Sequence, residues 1–290
     1  MKTRSKRFNI IKSIFPVIEN PQPLKYDINI DIAPPYMTTP DMIRGYRVGG
    51  SYKDCIKSMF RLHNETFNAV TILLASIEVS SLVFWAFNTY TMNSNDMSAF
   101  IAFLLAYVLH APFSIGYHTF IPINSKIANH WRKLDIYCIF LRSILFSYAF
   151  SYFVFSTTGV AINVFCQICI AIWGILTTTK IPDGVPLDKF KQAIITLIAI
   201  CCYTFPIVYI GIDQFITYDR YTSIVKASIG CITTFVVGGS CYAFRIPDRL
   251  SPGTFDIVFN SHVAMHVGIC ILCIFEFLFM ISAYQRARLH

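Results

Sequence analysis

Seven stretches of this chain stay apolar for twenty or more residues, at 67–89, 98–121, 134–156, 159–179, 190–212, 222–245 and 257–283. An α-helix rising 1.5 Å per residue needs roughly 20 residues to cross about 30 Å of hydrocarbon, so each stretch predicts one transmembrane helix. Residues 134–179 are too many for a single crossing, so a tight turn is required at Thr157–Gly159. The predicted fold is an all-α membrane protein, a seven-transmembrane helix bundle spanning 67–284. Ahead of it, in YRVGGSYKDCIKSMFRLHN, Ile56, Met59 and Phe60 recur at helical spacing. That pattern predicts a short amphipathic helix over 46–66 lying on the membrane surface. Residues 1–45 are polar, broken by prolines and weakly periodic, which predicts a largely disordered cytosolic tail. Residues 285–290 form a short extracytosolic tail.

Composition agrees with the pattern. The chain is 55% hydrophobic and 14% charged, where a soluble domain carries about a quarter charged residues. The net charge of +8 lies mainly in the first sixty or so residues and in short loops. That suits flanks facing anionic lipid and argues against a nucleic-acid partner. The loop before the second stretch lacks Lys and Arg, whereas the one after it carries Lys126, Arg132 and Lys133; the fourth and sixth loops are basic and the third is not. Basic loops stay cytosolic, so the N-terminus is expected in the cytosol, in the plasma membrane or an internal one. Arg286 and Arg288 then fall on the outer side, against the rule. MKTRSKRF is read as a retained tail and not a signal peptide, because no small-residue cleavage site follows it. Nine of the ten cysteines lie within or beside apolar runs, Cys166-x-x-Cys169 included, so buried free thiols are expected in place of disulfides or a zinc knuckle. Tyr218-Asp219-Arg220-Tyr221 imitates a G-protein-coupled-receptor signature, but on the wrong side and before the wrong helix.

Polar residues inside the apolar runs carry the candidate chemistry. His262 and His266, four apart in SHVAMH, stand one turn apart on one helix face and can share a metal ion. SIGYH places Ser114 and His118 one turn apart at the end of the second stretch, and KLDIY places Asp135 at the start of the third. By loop parity all of these meet the cytosolic face at one depth. Singly, each has a plainer reading: a histidine satisfied between helices, or an aspartate pairing with Lys133 or capping a helix. Their agreement in side and depth argues for metal. Three imidazoles leave the fourth position of zinc for water, the layout of a catalytic site. Asp135 can then handle the proton and Ser114 can hold the water or an oxyanion. His110 and Cys138 are weaker alternative ligands, and Glu78 and Arg142 are expected to line the bundle interior.

Four blocks in order, over about residues 45–270, bring in a resemblance. Gly45 to Asn68 (GYR…SMFRLHNETFN) resembles the segment ahead of the first helix in the progestin and adipoQ receptor family, with its haemolysin III and adiponectin receptor proteins. SIGYH is similar to that family's S-x-x-x-H, KLDIY to its third-helix aspartate, and Pro247 to His266 to its closing P-E-R…P-G-x-F-D…S-H-Q-x-x-H. Ile72, Asn124 and Val263 depart from the pattern, none at a ligand position. The resemblance implies a seven-helix fold inverted relative to G-protein-coupled receptors. It implies zinc (Zn2+) on His118, His262 and His266, with Ser114 and Asp135 at the water. It also implies ceramidase-like amide hydrolysis in members that act as receptors. The leading expectation is therefore a zinc-dependent, receptor-like hydrolase of a ceramide-like membrane lipid at a cytosol-facing site. A signalling receptor with a purely structural zinc and a haemolysin III-like pore-forming protein are the alternatives. No protein partner is indicated.

Overall fold

A computed structural model of the chain describes residues 13–180, 189–218 and 222–289. The basic residues before 13, Asp219–Tyr221 and the side chains of Lys189 and Lys191 lie outside the described residues. Seven helices among the described residues are long and apolar enough to cross a membrane. Helix α1, Tyr52–Ser58, precedes them. The first span is α2, Thr66–Thr89; the second is built from α3, Ser94–Val108, and α4, Ala111–Phe120. Then follow α5, Ser125–Tyr152, α6, Thr157–Thr179, and α7, Lys189–Tyr218. The last two are α8, Ser223–Phe244, and α9, Ser261–Leu289.

The helices run past the apolar limits wherever a polar cap is available. Helix α5 starts nine residues before the apolar stretch because Asn124 accepts a hydrogen bond from Ile127 N at 2.9 Å. Ser156 does the same for α6 from Gly159 N at 3.3 Å, which starts a new helix after the turn that the length argument demanded. Successive spans pack side by side, the seventh closes against the first, and the third also touches the fifth. Phe100, Phe103, Phe146, Phe150 and Phe279 fill the centre. Between α5 and α6 the glue is polar: Asn163 Nδ2 donates to Ser147 Oγ and Gln167 Nε2 to Ser143 Oγ, each at 2.7 Å. A Cβ at Gly174 would sit 2.3 Å from the Phe140 ring, so that close crossing requires glycine.

At one end of the bundle the tail departs from expectation. Lys25–Ile28 (β1) and Tyr46–Val48 (β2) pair antiparallel, and Ala33, Met37, Met42 and Tyr46 are buried. The fixing contacts come from more than 200 residues away. Asp256 Oδ2 accepts from Ile43 N at 3.0 Å and Arg44 N at 2.8 Å, and Arg245 Nε pairs with Asp41 at 2.9 Å. A local polar pattern carries no trace of such partners. The helix expected over 46–66 is likewise cut down to seven residues. Gly49 and Gly50 take φ of +89° and +92°, where helix cannot form, and Ser51 with Asp54 then caps α1 reciprocally. At the opposite end Arg288 pairs with Asp96 and Arg286 with Asp213 at 3.9 Å, so neither arginine there is uncompensated. All ten cysteines are free, but Cys166 and Cys169 face outward; Cys55, Cys231 and Cys273 are the buried ones.

Candidate metal centre

Helix α9 is aimed by its first turn. The Asp248 carboxylate accepts from Ser261 N at 3.0 Å and from its hydroxyl at 2.5 Å, and Asn260 Oδ1 accepts from Val263 N at 3.0 Å. This fixes His262 and His266 on the face turned toward α4, whose last turn carries His118. The three residues each offer a ligand atom, and those atoms all lie within 4.8 Å of one another. The rings stand 4.8–5.4 Å apart between centroids. His266 is 4% exposed, and both of its ring nitrogens are buried without a hydrogen-bond partner among the described residues. A buried polar group left unmade costs about 1–3 kcal/mol. Nitrogen-only donors gathered at this separation, one of them otherwise unsatisfied, fit a divalent transition ion.

A carboxylate not foreseen from the sequence stands behind His118. Glu65, just ahead of α2, takes Nδ1–H of His118 on Oε2 at 2.7 Å, and the same oxygen accepts from Asn68 Nδ2 at 2.7 Å. Burial pushes the Glu65 pKa up, but the hydrogen bond from His118, electrostatic attraction to His118 and His262, and the bond from Asn68 together outweigh it and hold the carboxyl at about 2. An ionised Glu65 only accepts, so the His118 proton lies on Nδ1 and Nε2 is free as a ligand. Arg47, 1% exposed, donates to Ser58 Oγ and, at 2.9 Å, to the carbonyl of His118 itself. Burial lowers its pKa to about 10, which still leaves it a cation. The signal for Glu65 was present in the HNETFN block, whose Asn64 is 2% exposed.

Asp135 is outside the ligand cluster of the three histidines. It sits ten residues into α5, and its carboxylate interacts with the Ser114 hydroxyl and, electrostatically, with His118. Oδ1 is taken by His110 Nε2 at 2.8 Å. His110 is therefore no spare ligand, since its Nδ1 also faces Arg142 Nη1 at 3.0 Å. Cys138 is not in the cluster either. Arg142 does line the interior, over the rings of Tyr107 and Phe146. Glu78 turns to Cys273, whose thiol reaches its Oε2 at 3.3 Å. A second unforeseen carboxylate, Glu276, is 1% exposed and accepts from Tyr107 at 2.7 Å. His262 is only partly buried, and its ring lies 5.2 Å from that of Tyr242, which is 45% exposed.

The profile of the haemolysin-III-related family matches residues 60–277. The chain is 28% identical to the adiponectin receptor protein of Drosophila melanogaster over 228 residues, covering 75% of this chain and 50% of that protein. It is 26% identical to membrane progestin receptor gamma-A of Danio rerio over 266 residues, covering 78% and 73%. Progestin and adipoQ receptor-like protein 1 of Caenorhabditis elegans is 24% identical over 250 residues, covering 83% and 56%. The chain thus spans about half the length of the fly and nematode proteins.

Proposed function

We propose a function on the premise supplied by that match: this chain belongs to the haemolysin-III-related family, the seven-helix membrane family of the adiponectin and progestin receptors. Our reading is a zinc-dependent, receptor-like hydrolase that cleaves the amide of a ceramide-like membrane lipid at a site facing the cytosol. The observation that carries it is the His118, His262 and His266 set, with both nitrogens of His266 unsatisfied among the described residues and the Asp135 carboxylate in electrostatic reach of His118. Zinc, when bound, polarises a carbonyl and lowers the pKa of water to about 7.

The chain's own residues account for the rest. Glu65 keeps His118 in one tautomer and one ring orientation. Asp135 takes the proton of the attacking water as its oxygen bonds to the amide carbon. It returns that proton to nitrogen as the C–N bond breaks, leaving a fatty acid and a sphingoid base. Ser114, 2% exposed, donates to the oxyanion that forms between those steps. The half-buried His262 beside the outward-facing Tyr242 supports entry from the lipid between helices, suited to a substrate whose tails never leave the bilayer.

A second reading is a signalling receptor in which the ion is structural. It is supported by the ligands' coming from α4 and α9, which an ion would tie together, and by the receptor names of the relatives. Metal analysis of detergent-purified protein tests the shared premise. One zinc per chain, lost in His118→Ala and in His262→Ala, is expected, and zinc retained by both variants refutes the centre. Ceramide turnover then separates the readings. Hydrolysis abolished in Asp135→Asn with zinc retained supports the enzyme. A zinc-loaded wild type that hydrolyses no ceramide leaves the receptor.

A further inference from the structure

His110 stands at the break in the second span, as the residue before α4. It is 6% exposed. Its two nitrogens face partners of opposite character: Asp135 Oδ1 at 2.8 Å from Nε2 and Arg142 Nη1 at 3.0 Å from Nδ1. A guanidinium has five donors and no acceptor. Nδ1 must therefore offer a lone pair, and the ring's single proton sits on Nε2, directed at the aspartate. Chemistry thus assigns the tautomer without any observed hydrogen. A doubly protonated ring would place a cation against Arg142.

The arginine is itself held. Its guanidinium lies 5.4 Å from the ring centroid of Tyr107 and 5.1 Å from that of Phe146. The Tyr107 hydroxyl is tied in turn to Glu276 on α9 at 2.7 Å. The chain of contacts runs from α9 through α3 to α5 and ends on one oxygen of Asp135.

We infer that His110, locked in its Nε2–H tautomer by Arg142, is a positioning residue that fixes the Asp135 carboxylate and leaves Oδ2 to meet water. This rests on the reading of Asp135 as the proton acceptor. With Oδ1 bound, the carboxylate cannot rotate about its last torsion without losing a buried hydrogen bond. The same carboxylate interacts with the Ser114 hydroxyl and, electrostatically, with His118. Misplacement of a reacting group by about 1 Å can cost about 100-fold in rate. Arg142 also places a positive charge near an aspartate that would otherwise be costly within a span.

Two measurements test this. In metal-free protein with 15N-labelled histidine, the His110 resonances, assigned by their loss in His110→Gln, should show a pure Nε2–H tautomer. Arg142→Met frees Nδ1 and should give a mixture. A wild type protonated on Nδ1, or an Arg142→Met spectrum identical to wild type, overturns the lock. In zinc-loaded protein, His110→Phe should keep one zinc per chain while kcat falls about 10–100-fold and KM moves less than about twofold. His110→Gln, whose Nε2 can donate to the same oxygen, should recover most of that loss. Zinc lost in His110→Phe, or unchanged kcat, overturns the positioning role. If zinc-loaded wild type hydrolyses nothing, the hydrolase reading fails on its own, and the tautomer spectra still decide whether Arg142 locks His110.

Discussion

Removing the Glu65 carboxylate should weaken metal binding without touching a ligand. In Glu65→Ala, two buried donors lose one shared acceptor: His118 Nδ1–H and Asn68 Nδ2–H, both at 2.7 Å from Oε2. Each orphaned donor costs about 1–3 kcal/mol, so the fold should lose about 2–6 kcal/mol in all. The part that reaches the ion is smaller. Carboxylates behind ligating histidines are worth about 10–100-fold in metal affinity, which is about 1.4–2.7 kcal/mol. The loss arises because His118 is freed to change tautomer, turn its ring and present the wrong nitrogen. The assay is competition for zinc against a chelator of known affinity, run on wild type, Glu65→Ala and Glu65→Gln, with melting temperatures alongside. Glu65→Gln keeps an acceptor oxygen for one of the two donors and should fall between the others. Zinc affinity in Glu65→Ala within about twofold of wild type, in a folded protein, would show that the carboxylate does not orient the ligand.

Two further outcomes follow from packing and burial. Gly174→Ala drives a Cβ to 2.3 Å from the Phe140 ring, whereas a Cβ at Gly239 meets nothing within 4 Å. Thermal melting should fall for the first by about 1–3 kcal/mol equivalent and rise or hold for the second. His63 is 2% exposed, and burial lowers its pKa to about 3. Between that value and the usual 6.5 the unfolded chain binds the proton and the folded one does not, so stability is lost as pH falls below 6.5. The loss is about 2 kcal/mol by pH 5, and the melting curve of His63→Asn against pH should lack that component.

The spans and the three clustered histidines were legible because both are local signals. A run of apolar residues reports a crossing wherever it stands, and His262 with His266 reports a shared face whatever surrounds them. Ser114 and His118 needed only loop parity to be placed at the same end. What escaped depends on partners far along the chain. Glu65 looks like a polar residue before a helix until His118, 53 positions on, takes its oxygen. His110 was given no role beyond that of a weak alternative ligand, since the sequence could not show Asp135 and Arg142 claiming its two nitrogens. Residues 25–45 read as a tail because their apolar positions, Met37 and Met42 among them, follow no period and bury against Ile121 and Ala128 instead of against themselves. Helix ends were misjudged where a polar turn such as SKIANHWRK stays helical beyond the hydrocarbon.

The stitches between residues 41–64 and 245–260 have a consequence for how this protein is made. Asp256 is synthesised 213 residues after Ile43, the backbone it clasps. At roughly 5–20 residues per second, that is a wait on the order of 10–40 s during which the beginning of the chain has no seat. Two of the three imidazoles emerge later still. The three-histidine cluster is thus assembled only in a finished polypeptide, so a ribosome that stalls or a chain cut short before the last helix yields a product without that cluster.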